Sequence, residues 1–159
     1  MKRHPALVPL SREHHEGLLL AVRLQQGPRA LLRLWSHDLR WQAEFVTRFF
    51  DDHLAHHFAA EEEILFPAAV KYFPADDPIV ERLLDDHREM RAMITFLRNP
   101  DEKKLECTLT QFGKLLEEHI RCEEREFFDR CEKSIPDERW LSLDNELQQF
   151  QQRASKATS

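Results

Sequence analysis

The stretch His57-Phe58-Ala59-Ala60-Glu61-Glu62-Glu63-Ile64-Leu65-Phe66-Pro67 decides the fold, because it returns as His119-Ile120-Arg121-Cys122-Glu123-Glu124-Arg125-Glu126-Phe127-Phe128. Each copy has a His, a Glu-Glu pair starting four residues on, then a large apolar residue and Phe. On a helix, positions i and i+4 sit one above the other on one face, so each copy aims an imidazole and a carboxylate at the same point. Two such pairs facing each other across a bundle surround a space with neutral nitrogen and anionic oxygen donors. That is the donor chemistry of a transition-metal site.

The repeat extends outward from these two stretches. Glu13-His14-His15-Glu16 parallels Asp86-His87-Arg88-Glu89, and Leu10 and Leu24 flank His14 as Leu83 and Leu97 flank His87. The chain therefore reads as two helical hairpins, each with a lone His followed by a His-x-x-x-Glu pair. Pro5 and Pro9 make residues 1–10 an extended lead-in. Ser11 is a suitable N-cap for a first helix, which runs to Gln26 and stops at Gly27-Pro28. Residues 29–36 fit either a short helix or a connector. A second helix runs from about 37 to 66, with Pro67 weakening its end. Asp77 and Pro78 open a third helix with a seam of Val80, Leu83, His87, Met90, Ile94 and Leu97. After Asn99-Pro100-Asp101, a fourth helix carries Leu105, Leu109, Phe112, Leu116, His119, Glu123 and Phe127. Such seams suit near-antiparallel bundle packing. A shorter fifth helix spans about 137–153, and residues 154–159 should fray.

Bulk composition agrees with an all-α, single-domain protein. The 159 residues contain only 3 Gly, with 42% hydrophobic and 33% charged residues. A core of that size needs no disulfides, and 3 Cys at irregular spacing form no framework. A reducing cytoplasm is the expected compartment. A net charge of -6 without a basic stripe argues against nucleic acid. No apolar run approaches the roughly 20 residues that cross a membrane, and no signal-type apolar region follows the basic N-terminus.

A single seam His is tolerated in a core when its nitrogens find partners. Four of them at matching depth, with two seam glutamates, need a common explanation, because an unpaired buried carboxylate costs several kcal/mol. The ligand set is His14, His57, Glu61, His87, His119 and Glu123, with His15 as the alternative to His14. Leu18 and Val22 would accompany His15 on its seam, whereas Gly17 and Ala21 accompany His14. Six donors exceed one tetrahedral zinc and suit two ions sharing bridging carboxylates. Mixed nitrogen and carboxylate donors favour iron, then manganese, with zinc behind. An oxide or hydroxide bridge would offset the remaining positive charge.

These residues together resemble the hemerythrin-like, or HHE cation-binding, family. The match is carried by His14-His15-Glu16, by His57-Phe58-x-x-Glu61-Glu62 with Leu65-Phe66-Pro67, by Asp86-His87, and by His119-x-x-x-Glu123. The resemblance implies an up-down antiparallel four-helix bundle, about 10–131, holding a non-haem di-iron centre, with the C-terminal helix added. It implies a small ligand such as dioxygen, peroxide or nitric oxide, in sensing, iron handling or stress protection. A di-iron enzyme turning over peroxide or oxygen and a metal-dependent interaction module are the alternatives. Oxygen-carrying members have a second His four residues after the third-helix His, where this chain has Arg91, and an Asp at i+5 where it has Glu123 at i+4. The missing imidazole leaves more room for exogenous ligands and suits reversible oxygen carriage less. Ferritin-type sites use Glu-x-x-His, and no Glu precedes any His here by three.

Other polar residues take ordinary roles in this reading. His53 is structural, His56 points off the seam, and Glu62, Glu63, Glu124 and Glu126 form a solvated acidic face. The cysteines are inert thiols. The fifth helix packs on the bundle or forms a homodimer contact through Trp140, Leu143, Leu147 and Phe150.

Overall fold

The computed structural model describes residues 3–27 and 35–157, all of their regular structure helical. A 3-10 turn, Pro5–Leu7, leads into α1 (Val8–Gln26). Helix α2 (39–69) is continuous through Leu39–Phe49, Phe50–Leu54, Ala55–Ala60, Glu61–Leu65 and Phe66–Ala69. Then come α3 (Ile79–Arg98), α4 (102–134) and α5 (Asp137–Ala157).

The caps explain most of the boundaries. Asp38, Asp77 and Asp101 accept hydrogen bonds from the N–H groups of Trp41, Ile79 and Lys103 at 2.9, 3.0 and 3.0 Å, satisfying donors that a helix start leaves open. Gly27 ends α1 at φ 53°, a conformation that costs glycine little. The expectation for residues 1–10 is corrected: α1 starts at Val8, not Ser11, because Pro9 falls in the first turn, where its missing N–H has no intrahelical partner to lose. His4 rather than Ser11 caps the chain's start, its Nδ1 accepting from the Ala6 N–H at 3.2 Å. Helix α2 passes Pro67 to Ala69, and α5 runs to Ala157, past the expected stop. Most of the 29–36 segment lies outside the described residues.

Three turns are widened. In Phe50–Leu54, Glu61–Leu65 and Glu123–Phe127 the helix makes i to i+5 bonds, with the N–H of Ala55, Phe66 and Phe128 donating to Phe50, Glu61 and Glu123. Each such bulge inserts one residue and re-aims the side chains around it, a device concentrated at functional sites. Two of the three begin at the seam glutamates.

Helix α1 lies along α4, α3 along α4, and α2 against both α3 and α4. Glycines set the α1–α4 approach. A Cβ on Gly113 would stand 2.9 Å from the Ala21 carbonyl oxygen and 2.8 Å from Leu24 Cβ, and one on Gly17 would stand 2.8 Å from Ile120 Cδ1. The core has two apolar halves. One gathers Leu10, Leu65, Leu83, Phe127 and Phe128 with Trp140, Leu143 and Leu147 of α5. The other gathers Leu20, Val46, Met90, Leu109, Phe112 and Leu116. Helix α5 therefore packs on its own bundle, over Pro5–Leu7 and residues 55–65, with Trp140, Leu143 and Leu147 buried, Phe150 partly buried and Leu141 facing out.

Candidate metal centre

Between the apolar halves lies a polar layer: His14, His57, Glu61, His87, His119 and Glu123 are all buried. His15 is exposed, so His14 is the α1 residue that faces inward. Gly17 on its seam leaves room for the Ile120 side chain of α4, and the Ala21 carbonyl lies where only a glycine, Gly113, fits on α4.

The six side chains form two donor sets sharing two carboxylates. In the first, His14 Nε2 is 3.0 Å from His57 Nε2 and 3.0 Å from Glu123 Oε2, and His57 Nε2 is 3.2 Å from Glu61 Oε1. In the second, His87 Nε2 is 3.1 Å from His119 Nε2 and 3.4 Å from Glu61 Oε2, and His119 Nε2 is 3.3 Å from Glu123 Oε1. Each glutamate thus turns one oxygen to each set. Donors about 2.1 Å from one ion are about 3.0 Å apart at a right angle and about 3.4 Å apart at the tetrahedral angle. All six separations fall in that window.

The hydrogen-bond inventory says what belongs between them. Every Nδ1 faces an outer carboxylate: His14 pairs with Glu124 Oε1 at 2.7 Å, His57 with Glu13 Oε2 at 2.7 Å, His87 with Glu62 Oε1 at 2.7 Å and His119 with Asp86 Oδ2 at 3.2 Å. A carboxylate only accepts, so Nδ1 carries the hydrogen and Nε2 of a neutral ring presents its lone pair inward. All four oxygens of Glu61 and Glu123, each 0% exposed, lack a hydrogen-bond partner. With the rings neutral, these eight inward-facing lone-pair atoms have nothing to donate to them, and each set could hold a cation. Hydrogen-bonded outer carboxylates are what fixes the tautomer and ring orientation of metal-binding imidazoles.

The outer layer follows the sequence repeat. Glu13 and Asp86 each precede the lone His of their hairpin and hold the other His of that hairpin. Glu62 and Glu124 each follow a seam glutamate and hold the lone His of the opposite hairpin. This corrects the solvated-face expectation for Glu62 and Glu124; Glu63 and Glu126 are exposed, as expected. The signal was adjacency: all four outer acids are sequence neighbours of a seam His or Glu. Two guanidiniums brace this layer. Arg91 holds Glu62 through two bonds of 2.7 and 3.1 Å, and Arg3 reaches Glu124 at 2.8 Å. Arg91 therefore turns away from the donor sets and lies over the Phe58 ring. Phe58 stacks on His87 with centroids 3.8 Å apart, and Phe128 on His14 at 5.5 Å.

Without a cation, protons take up part of the electrostatic load. Burial pushes the His14, His57 and His119 imidazoles down, but the facing carboxylates more than offset it, leaving His14 raised, His57 well raised and His119 at about 10. Burial pushes the Glu123 carboxyl up, yet His119 and His14 hold it well below the usual range. Burial raises the Cys122 and Cys131 thiols, consistent with inert side chains, whereas Cys107 is exposed.

A helical bundle whose buried layer is two histidine sets joined by two shared carboxylates has the donor chemistry of a cation-binding protein. The chain belongs to the hemerythrin HHE cation-binding domain family, which it matches over residues 6–131. No curated protein and no solved structure matches it. Helix α5 lies beyond the matched span. No helix among the described residues is long and apolar enough to cross a membrane.

Proposed function

We propose that this chain is a hemerythrin-like di-iron protein, an up-down four-helix bundle closed by α5, that binds a small ligand such as dioxygen, peroxide or nitric oxide. His14, His57, Glu61 Oε1 and Glu123 Oε2 hold one ion; His87, His119, Glu61 Oε2 and Glu123 Oε1 hold the other. The observation that carries this reading is the set of four buried, unpartnered carboxylate oxygens facing four imidazole nitrogens. Equal nitrogen and carboxylate donors in a site with vacant positions favour iron, with manganese next. Bound there, the pair supplies redox chemistry and coordination positions for solvent and one exogenous ligand.

The protein's own part is to hold, orient and shield. Outer carboxylates fix each ring, Arg3 and Arg91 fix two of those carboxylates, and Phe58, Phe66 and Phe128 keep bulk water from the rings. A cleft beside the first set, walled on its apolar side by Phe49, Leu54, Phe58, Leu116 and Ile120, has room for about one water-sized molecule, which suits a diatomic or peroxide. Arg91 in place of a further imidazole leaves four protein donors per ion. That favours sensing, iron handling or stress protection over oxygen carriage. A negative net charge and the three free cysteines fit a reducing compartment and no nucleic-acid partner. The test is elemental analysis with an optical spectrum: two irons per chain, near-ultraviolet bands of a bridged ferric pair, and a shift of those bands on adding azide or nitric oxide. Metal content short of two ions per chain after anaerobic iron loading would refute it.

A further inference from the structure

The donors are sealed: Glu61, His87 and Glu123 are 0% exposed, while His14 and His57 keep 3% and 5%. A cation must therefore pass through the wall on the His14/His57 side, where the cleft lies. Buried His14, His57 and His119 line that cleft together with two exposed polar residues, Glu13 and His53. Leu54 and Leu116 supply apolar wall. Glu13 spends Oε2 on the His57 ring while its side chain stays 46% exposed, so a second oxygen remains for another partner. The His53 imidazole lies tilted against Phe49 with centroids 4.9 Å apart, and no hydrogen bond or ion pair ties it among the described residues.

The third widened turn gives this arrangement its significance. The turns at Glu61 and Glu123 aim shared carboxylates. The turn Phe50–Leu54 holds no donor of either set, yet it carries His53 and Leu54 to the cleft. It also breaks the match between hairpins, since Leu115 stands in α4 where His53 stands in α2. We propose that His53 and Glu13 form a capture site for a hydrated divalent transition-metal ion, which then passes to His57 and His14. An imidazole and a carboxylate suit such an ion, and exchanging its water one donor at a time avoids carrying a hydrated charge between apolar walls. The inference rests on the di-iron reading and adds the route by which the ions arrive.

The test is anaerobic uptake of ferrous iron by metal-free protein, followed by stopped-flow competition with a chromophoric chelator. The wild-type endpoint is read first: failure to reach two ions per chain refutes the di-iron reading itself. Given that endpoint, His53→Ala should still reach two ions, with uptake slowed about tenfold, the scale of a lost electrostatic and ligand capture step. His56→Ala, exposed and absent from the cleft lining, should load at the wild-type rate, and His53→Cys, which restores a metal-binding group, should recover most of the rate. An unchanged rate in His53→Ala, an equal slowing in His56→Ala, or a lowered endpoint in His53→Ala would each overturn the capture role.

Discussion

Replacing Glu61 by Gln keeps the side chain's shape while removing its charge and one of its two acceptor oxygens. Because Oε1 faces the first donor set and Oε2 the second, this single change weakens both sets. Replacing His119 by Ala removes a donor from the second set alone. At free metal about 1,000 times the dissociation constant, each bound ion adds about 4 kcal/mol to stability. A chain of this size shifts its Tm by about 2–4 °C per kcal/mol. Metal should therefore raise the wild-type Tm by about 16–32 °C, that of His119→Ala by about half as much, and that of Glu61→Gln by only a few degrees. The metal-free baseline should also fall, because Glu61 holds the buried His57 imidazole in its charged form and removing one partner of a buried pair costs about 3–5 kcal/mol, so the gain on adding metal, not the absolute Tm, is the quantity compared. Scanning calorimetry with and without ferrous iron, alongside iron per chain, makes the comparison. Equal metal loss in the two variants, or two irons retained in Glu61→Gln, would refute the shared-carboxylate geometry.

Glu124→Gln and Glu62→Gln should keep two ions but lower affinity about 10–100-fold by chelator competition, as loss of an outer partner does elsewhere. Loading should release protons at pH 7: His57 and His119 sit above their ordinary value in the metal-free chain, so an ion taking Nε2 displaces a proton. Apparent affinity should accordingly fall as pH falls, and titration calorimetry in two buffers of different ionisation heat counts those protons. Gly113→Ala should cost about 1–3 kcal/mol through overpacking and lower metal content, because the helix it pushes aside carries His14; unchanged melting and metal content would disprove that the glycine sets the α1–α4 spacing.

Much of this centre was legible from spacing. His-x-x-x-Glu repeats and matching leucines pointed to the side chains that the bundle buries in one layer, since side-chain direction on a helix follows from position. The choice of His14 over His15 was open because Gly17 and Ala21 look like poor seam residues until α4 is seen pressing against them. Glu62 and Glu124 looked solvated because a position beside the seam is usually wet; only the opposite hairpin reveals the imidazole each one holds. The widened turns had no local signature, being set by what the bundle packs around the glutamates. Arg3 was out of reach for a related reason. Its partners Glu124 and Glu132 lie more than a hundred residues away, and helical periodicity has nothing to say over that distance.

The unequal split of donors between hairpins also bears on how the halves hold together. Residues before the 70–78 connection contribute three of the four side chains of the first donor set, and residues after it contribute three of the four of the second. Neither piece alone is a complete chelator, and each lends the other its missing oxygen. Metal bound across these sets would act as a rivet as much as a cofactor: severing the connecting loop should leave fragments that stay joined while loaded and drift apart when the metal is stripped.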